Sequence, residues 1–483
     1  MWNELKERWR KQSPGGYRET LRVAYPLIIS TGSFTVMQFC DRMFLAWYSS
    51  SAIKAALPAG ILSFTFICGF MALAGYANTF VAQYHGAGDR LGCSRATAQG
   101  VILSLLSWPL MLLLMPVGFW ILKLSGHAPD VLADELIYFK ILMWGSVTVP
   151  LGSAIGSFFT GRGDTFTNMI ATIVANVVNI VLDYALIFGR WGFPEMGIAG
   201  AAWATIVSGL VTPAILFALY FCQQKLVAEY DTWKTFRWDG ALLWRMVRFG
   251  APSAVHLLLD ISSFTLFVLW VGRMGGTEQA ASNIALSINN LAFMPLIGMS
   301  IAASILVGQY QGRRDSATAE RASWSALKIG WIYMLIVALT FILFPRAYFS
   351  LFTDRSASGV LLADILPMGR YLLLMMAVWG LMDAANLILS GALKGAGDTR
   401  FVMYYSVAMN WCFWITGEAL IIFVFDGGLL AAWSWLTAYV MLTAFGFFWR
   451  FRGGRWKTID LLERETPRQP SAGPGAEACI LGE

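Results

Sequence analysis

Long apolar runs separated by short polar connections dominate the chain from residue 21 to residue 450. A hydrocarbon core about 30 Å thick takes roughly 20 residues of helix to cross, and twelve runs reach that length. They cover residues 21–47, 55–84, 95–123, 133–161, 165–189, 196–222, 247–273, 279–310, 323–349, 363–393, 400–425 and 427–450. The pattern predicts an all-α integral membrane protein of twelve transmembrane helices.

Positive charge is spread unevenly over the connections. Clusters occupy the N-terminal tail (Lys6, Arg8, Arg10, Lys11, Arg18, Arg22), the connection after span two (Arg90, Arg95) and that after span six (Lys225, Lys234, Arg237, Arg245, Arg248). They recur after span eight (Arg313, Arg314, Arg321) and in the C-terminal tail (Arg450, Arg452, Arg455, Lys457), so all fall on one side. The positive-inside bias makes that side cytoplasmic, with both termini there and the protein multi-pass in the inner (plasma) membrane. Composition agrees: the 483 residues are 57% hydrophobic and 13% charged, against about 25% charged in a soluble domain. The net charge of +6 does not point to nucleic acid, because the basic residues lie between apolar runs and not along one face. Six cysteines without CxxC spacing argue against a zinc site or a disulfide framework. The first apolar run is too long for a signal-peptide core and is expected to remain as a helix.

The chain also repeats itself. Val81-Ala82-Gln83-Tyr84-His85-Gly86 is echoed by Val307-Gly308-Gln309-Tyr310-Gln311-Gly312, at the separation that also relates Pro26 to Pro252. Gly163-Asp164-Thr165 is echoed by Gly397-Asp398-Thr399 at a separation a few residues larger. Each copy holds six spans and starts on the same side, so the copies are parallel repeats about an axis along the membrane normal. The expected organisation is a basic N-terminal tail (1–20), an N-lobe (21–222), a cytoplasmic linker (223–246), a C-lobe (247–450) and a C-terminal tail (451–483), disordered beyond Thr466. Two parallel six-helix lobes then flank a central cleft.

Carboxylates inside the spans are the sharpest chemical signal, since one at a helix centre costs about 2.5–3.5 kcal/mol on insertion scales. Five stand out: Asp41, Asp183, Asp260, Asp383 and Glu418. Asp41 and Asp183 each lie about 9 Å from the outer end of their spans and can meet. Asp260 and Asp383 lie near the midplane. The acids break the repeat, because Phe267 stands at the counterpart of Asp41, Phe34 at that of Asp260 and Val149 at that of Asp383. A desolvated carboxylate takes up a proton or a cation, which makes these residues carriers for H+, Na+ or an organic cation. The competing structural reading, an acid that anchors neighbouring helices, is the preferred one for Glu418.

Four segments then resemble the multidrug and toxic compound extrusion (MATE) family, in its NorM-like branch, with a likeness that spans all twelve helices. They are Pro26 with Cys40-Asp41-Arg42, Ala82 to Asp89, Asn179 to Tyr184, and Gly391 to Thr399. The resemblance implies a two-lobed exporter that moves organic cations or drugs against an inward Na+ or H+ gradient. By the same resemblance Asp41, Asn179, Asp183 and Thr205 form an N-lobe ion-coupling set, able to hold Na+, while Asp260 and Asp383 form a C-lobe ion or substrate set. Trp379 stands where several NorM-like members carry a tyrosine, and an indole offers no oxygen ligand. His256, one turn before Asp260, joins Trp379 and Glu418 as an accessory candidate.

Other signals are weaker. The 21 tryptophans are mainly belt or packing residues, and Gly152/Gly156 and Gly391/Gly395 have the spacing of closely packed helices. Three scattered histidines do not make a metal cluster, and no nucleophile or acid–base pair marks an enzyme. The expected partners are small organic cations and membrane lipid, with no nucleic acid and no cofactor beyond Na+ or H+ as coupling ion, acting on a monomer. A lipid-linked oligosaccharide flippase or another solute exporter on the same scaffold is the alternative, although a diphosphate cargo calls for a basic cleft.

Overall fold

The computed structural model describes residues 14–272, 276–353 and 362–463. The first thirteen residues of the expected basic tail, and the segment beyond Thr466 with Cys479, lie outside the described residues. Among the described residues twelve helices are long and apolar enough to cross a membrane: α1 Tyr17–Tyr48, α2 Ser50–Gly86, α3 Arg90–Leu113, α4 Pro129–Gly161, α5 Thr165–Ile187, α6 Ile198–Cys222, α7 Gly240–Val271, α8 Glu278–Gly312, α9 Ser316–Leu343, α10 Ile365–Ala396, α11 Thr399–Phe423 and α12 Leu429–Arg452. No strand occurs among the described residues. In hydrocarbon only a segment that satisfies its own backbone survives, and a helix does so internally.

Two spans are shorter than the sequence pattern predicts. The run expected at 95–123 stops at Leu113 and resumes as a separate helix, Met115–Leu124; the run at 323–349 stops at Leu343 and resumes as Pro345–Thr353. Pro116 and Pro345 stand in the opening positions of these short helices, where a missing N–H breaks nothing but prevents one continuous ladder. Apolarity alone carries no mark of such a break. The helix of α7 starts at Gly240, inside the segment read as a linker, which also holds the short helices Gln224–Tyr230 and Thr232–Thr235.

Within the first six helices α1 packs on α5, α5 on α6 and α2 on α4; within the last six α10 is central, touching α8, α9 and α12, while α7 packs on α11. Large apolar side chains such as Leu110, Leu335 and Phe445 face outward, the polarity expected of a body surrounded by lipid. α8 and α10 approach closely: a Cβ on Gly391 or Gly395 would overlap backbone atoms of Ser300 or Ser304. Ser300 Oγ also donates to Leu387 O at 2.6 Å.

Helix ends on the face where the described chain begins and ends repeat in detail. After α4, Gly163 N–H donates to Thr160 O (2.8 Å) and Asp164 N–H to Phe159 O (3.0 Å). After α10, Gly397 N–H donates to Lys394 O (3.1 Å) and Asp398 N–H to Leu393 O (2.9 Å). Both glycines are left-handed, at φ +86° and +97°, as such caps require. The ends of α2 and α8 match in the same way, with Asp89 N–H on Tyr84 O (3.0 Å) and Asp315 N–H on Tyr310 O (2.9 Å). Asp315 then caps α9; the Thr318 hydroxyl and backbone N–H hold its carboxyl below the usual carboxylate range.

Arg314 takes the left-handed position (φ 60°) that Gly88 fills in the first copy (φ 77°), at a cost of about 1 kcal/mol for a residue with a Cβ. Arg314→Gly is therefore expected to raise the melting temperature of the purified protein; an unchanged or lowered value in thermal unfolding counts against strain at this turn.

Candidate ion and substrate sites

The apolar faces of α1 and α5 bring their few polar side chains together. Asn176 Nδ2 donates to Ser33 Oγ at 2.8 Å, tying the two helices below the acids. One turn further along α5, Asn179 and Asp183 share a face and have no exposed surface. In the amide orientation that satisfies its neighbours, Asn179 Nδ2 donates to Asp41 Oδ1 at 2.9 Å and to Asp183 Oδ2 at 3.2 Å, and its Oδ1 accepts from Ser208 Oγ at 3.2 Å. Asp183 Oδ1 has no hydrogen-bond partner among the described residues. Two carboxylates this close repel unless a proton or a cation sits between them.

Thr205, on α6, donates its hydroxyl to Ala201 O at 2.9 Å and keeps both lone pairs for other partners. Tyr138, on α4, lies against Thr205 and within electrostatic reach of Asp41 and Asp183. Together these residues offer carboxylate, amide and hydroxyl oxygens, a donor set that suits a small hard cation such as Na+. Of the four N-lobe candidates, Asp41, Asn179 and Asp183 are in direct contact, and Thr205 is linked to them by its carbonyl, which accepts from Ser208 Oγ at 3.1 Å.

The C-lobe candidates are arranged differently. Asp260 Oδ1 accepts from Asn410 Nδ2 at 2.8 Å, and Asn410 Oδ1 in turn accepts from the Tyr439 hydroxyl. Asp383 pairs with Asn386 and feels the charge of Asp260, but the two acids share no hydrogen bond. His256 Nδ1 faces Lys394 Nζ at 3.3 Å, and Lys394 lies within electrostatic reach of Asp260. Trp379 does not join the acids: it is buried against Trp433, ring centroids 5.8 Å apart, inside an aromatic cluster with Phe267 and Trp414. Glu418 is fully buried, and neither of its oxygens has a hydrogen-bond partner among the described residues.

Six contributors escaped sequence reasoning: Tyr138, Ser208, Asn386, Lys394, Asn410 and Tyr439. Asn410 had a visible signal, an amide within an apolar run, and it sits in the π-helical turn Ala408–Ile415, a widening that often accompanies function. Lys394 lies at the end of its run and reads there as one more basic flank. Only packing turns it back toward His256.

The family model named MatE matches residues 26–185 and again 252–416, one stretch in each half, each opening on a proline of the repeat. The chain belongs to the MATE family. Among the relatives of this MATE protein, the probable multidrug resistance protein NorM of Bradyrhizobium diazoefficiens is 30% identical over 423 residues, 86% of this chain and 89% of that one. That of Thermotoga maritima is 25% identical and covers 95% and 97%. Among solved structures, an outward-facing multidrug resistance MATE family transporter of the MOP superfamily superimposes with a TM-score of 0.82 at 22% identity, over 92% of this chain and 98% of that one. A MOP superfamily transporter from Pyrococcus furiosus gives 0.82 at 21%, with the same coverage. These two establish the MATE fold, two parallel six-helix lobes about a central cleft.

Asn179→Ala leaves both N-lobe carboxylates without their shared donor and is expected to destabilise this MATE protein by about 1–3 kcal/mol. Thermal or denaturant unfolding of the variant checks this, and wild-type stability would remove the amide from its bridging role.

Proposed function

We propose that this protein is a secondary active antiporter that exports amphiphilic organic cations or drugs in exchange for Na+ or H+ by alternating access. The observation that carries the reading is the convergence of Asp41 and Asp183 on the single amide of Asn179, deep in the N-lobe. Such a pair stays together only while a proton or cation offsets its charge. Entry of the driving ion and its release on the other side therefore change the energy of the N-lobe, and that change is what couples a gradient to movement of the lobes. An inward ion at this site gains about 2.3 kcal/mol per charge per 100 mV of membrane potential.

In the C-lobe, Asp260 is bonded to Asn410 and Asn410 to Tyr439, whose ring lies within electrostatic reach of Asp383 and stacks on Trp414 with centroids 4.9 Å apart. Anionic and aromatic groups in one place suit a bulky cation, which gains from charge and from the ring faces together. Relatives named multidrug resistance proteins support a cargo of this kind. The lobes move as residues 21–222 and 247–450 of a single chain, with the basic face and both termini in the cytoplasm and the body in the plasma membrane. No bond of the cargo is made or broken.

The test uses purified protein in vesicles loaded with ethidium, with a Na+ gradient alone compared with a pH gradient alone. One of the two is expected to drive dye movement, and Asp41→Asn to abolish it under either. Dye flux unaffected by both gradients sinks the antiport reading; full coupled flux in the Asp41 variant removes the N-lobe site from the mechanism.

A further inference from the structure

On the face where the described chain begins and ends, the two lobes meet in an arrangement that repeats about the axis between them. Gln83, near the end of α2, donates from Nε2 to Gly395 O of α10 at 3.1 Å. Gln309, in the same place on α8, donates from Nε2 to Gly161 O of α4 at 2.8 Å. Each glutamine thus crosses to the opposite lobe and ends on the same carbonyl of the opposite copy. Their backbones cross in the same reciprocal fashion: a Cβ on Gly312 would overlap the Gln83 carbonyl, and a Cβ on Gly86 would overlap the Gln309 carbonyl. Gln83 and Gln309 are only 2% and 8% exposed, so the junction is tight.

The accepting carbonyls suit a bond that opens and closes. Both lie in the last turn of a helix, where carbonyls have no intrahelical donor. The caps described above use Phe159 O and Thr160 O in one copy and Leu393 O and Lys394 O in the other, leaving Gly161 O and Gly395 O for the glutamines. When the lobes part at this face, water can take the place of each amide. The exchange of one hydrogen bond for another keeps the net cost of opening small. Glycine at positions 86 and 312 brings backbone onto backbone without side chains to disengage.

Further links lie on the same side. Tyr76 OH donates to Lys394 O (3.1 Å), Tyr310 OH to the Glu19 carboxylate (2.8 Å), and Thr31 Oγ1 to Met294 O (3.3 Å). Among the described residues, side-chain hydrogen bonds that join the lobes reach no further from this face than Thr31.

Taking these together, we propose that Gln83 and Gln309 are paired gating residues, a reciprocal latch that holds the cytoplasmic side of the cleft shut and releases when the lobes rock. The proposal rests on the transport reading above, through which the latch gains its role. Gln83 and Gln309 touch neither set of acids, so they act on access to the sites and not on the binding of ion or cargo.

The experiment measures conformation without needing the cargo. Spin labels are placed on the full-length protein in lipid nanodiscs at Arg95→Cys and Arg321→Cys, one exposed position per lobe near this face, with the native cysteines replaced. Electron–electron resonance then reports the distance between them. In the wild-type latch a short distance is expected to dominate. Gln83→Met with Gln309→Met keeps length and removes both donors; the ratio of long to short distances is expected to rise on the order of tenfold. Gly86→Ala with Gly312→Ala keeps both donors and forces the backbones apart, and the same lengthening is expected. Both double variants must remain monodisperse and keep a wild-type distance for a label pair within the N-lobe, which separates opening from misfolding. Wild-type distances in both double variants overturn the latch, even where vesicles show gradient-driven export. Lengthened distances in a protein that moves no dye under either gradient leave the latch standing and overturn the antiport reading instead.

Discussion

Hydrocarbon offers no hydrogen bonds, so every polar group within the bundle must find its partner in the protein. The backbone meets this demand by forming helices, and the side chains meet it in small, separate sets. Asn179 serves two carboxylates and a hydroxyl with one amide; Asn410 stands between Asp260 and Tyr439. Such arrangements hold only in a rigid surround, which the packing of α1 on α5 and of α10 on its three neighbours supplies. The demand is left partly unmet at Asp183 Oδ1, which has no hydrogen-bond partner among the described residues.

Duplication explains the frame and not the chemistry. The proline pair, the left-handed caps and the glutamines at the lobe junction recur in both copies, at the same places in each. The acids do not recur. Phe267, at the counterpart of Asp41, is fully buried in the aromatic cluster of the C-lobe, while the N-lobe holds its acids among amide and hydroxyl groups. The N-lobe thereby gathers carboxylate, amide and hydroxyl groups where the C-lobe packs aromatic rings, on a common scaffold.

Much of this was legible before any coordinates. Twelve spans, the basic face, the repeat and the intramembrane acids all follow from rules that act on each stretch of chain separately, since a run of about 20 apolar residues has one stable place and a buried carboxylate has few. The meeting of Asp41 with Asp183 was within reach because depth in a membrane is one coordinate that counting residues supplies. The outer breaks of α3 and α9 were missed because hydropathy averages over a proline.

Azimuth is what residue counting lacks. Which side of a helix faces which neighbour depends on how twelve cylinders pack, and that decided the fate of Trp379, Lys394 and Asn410. An indole in line with the acids turned into the aromatic core, a basic flank turned inward to His256, and a lone amide became the partner of Asp260. The contacts between lobes belong to the same class. Gln83 and Gln309 are an ordinary repeat in one dimension, and only the crossing of α2 over α8 makes each the partner of the opposite copy, because a bond between distant segments is set by their relative placement and not by either segment's own residues.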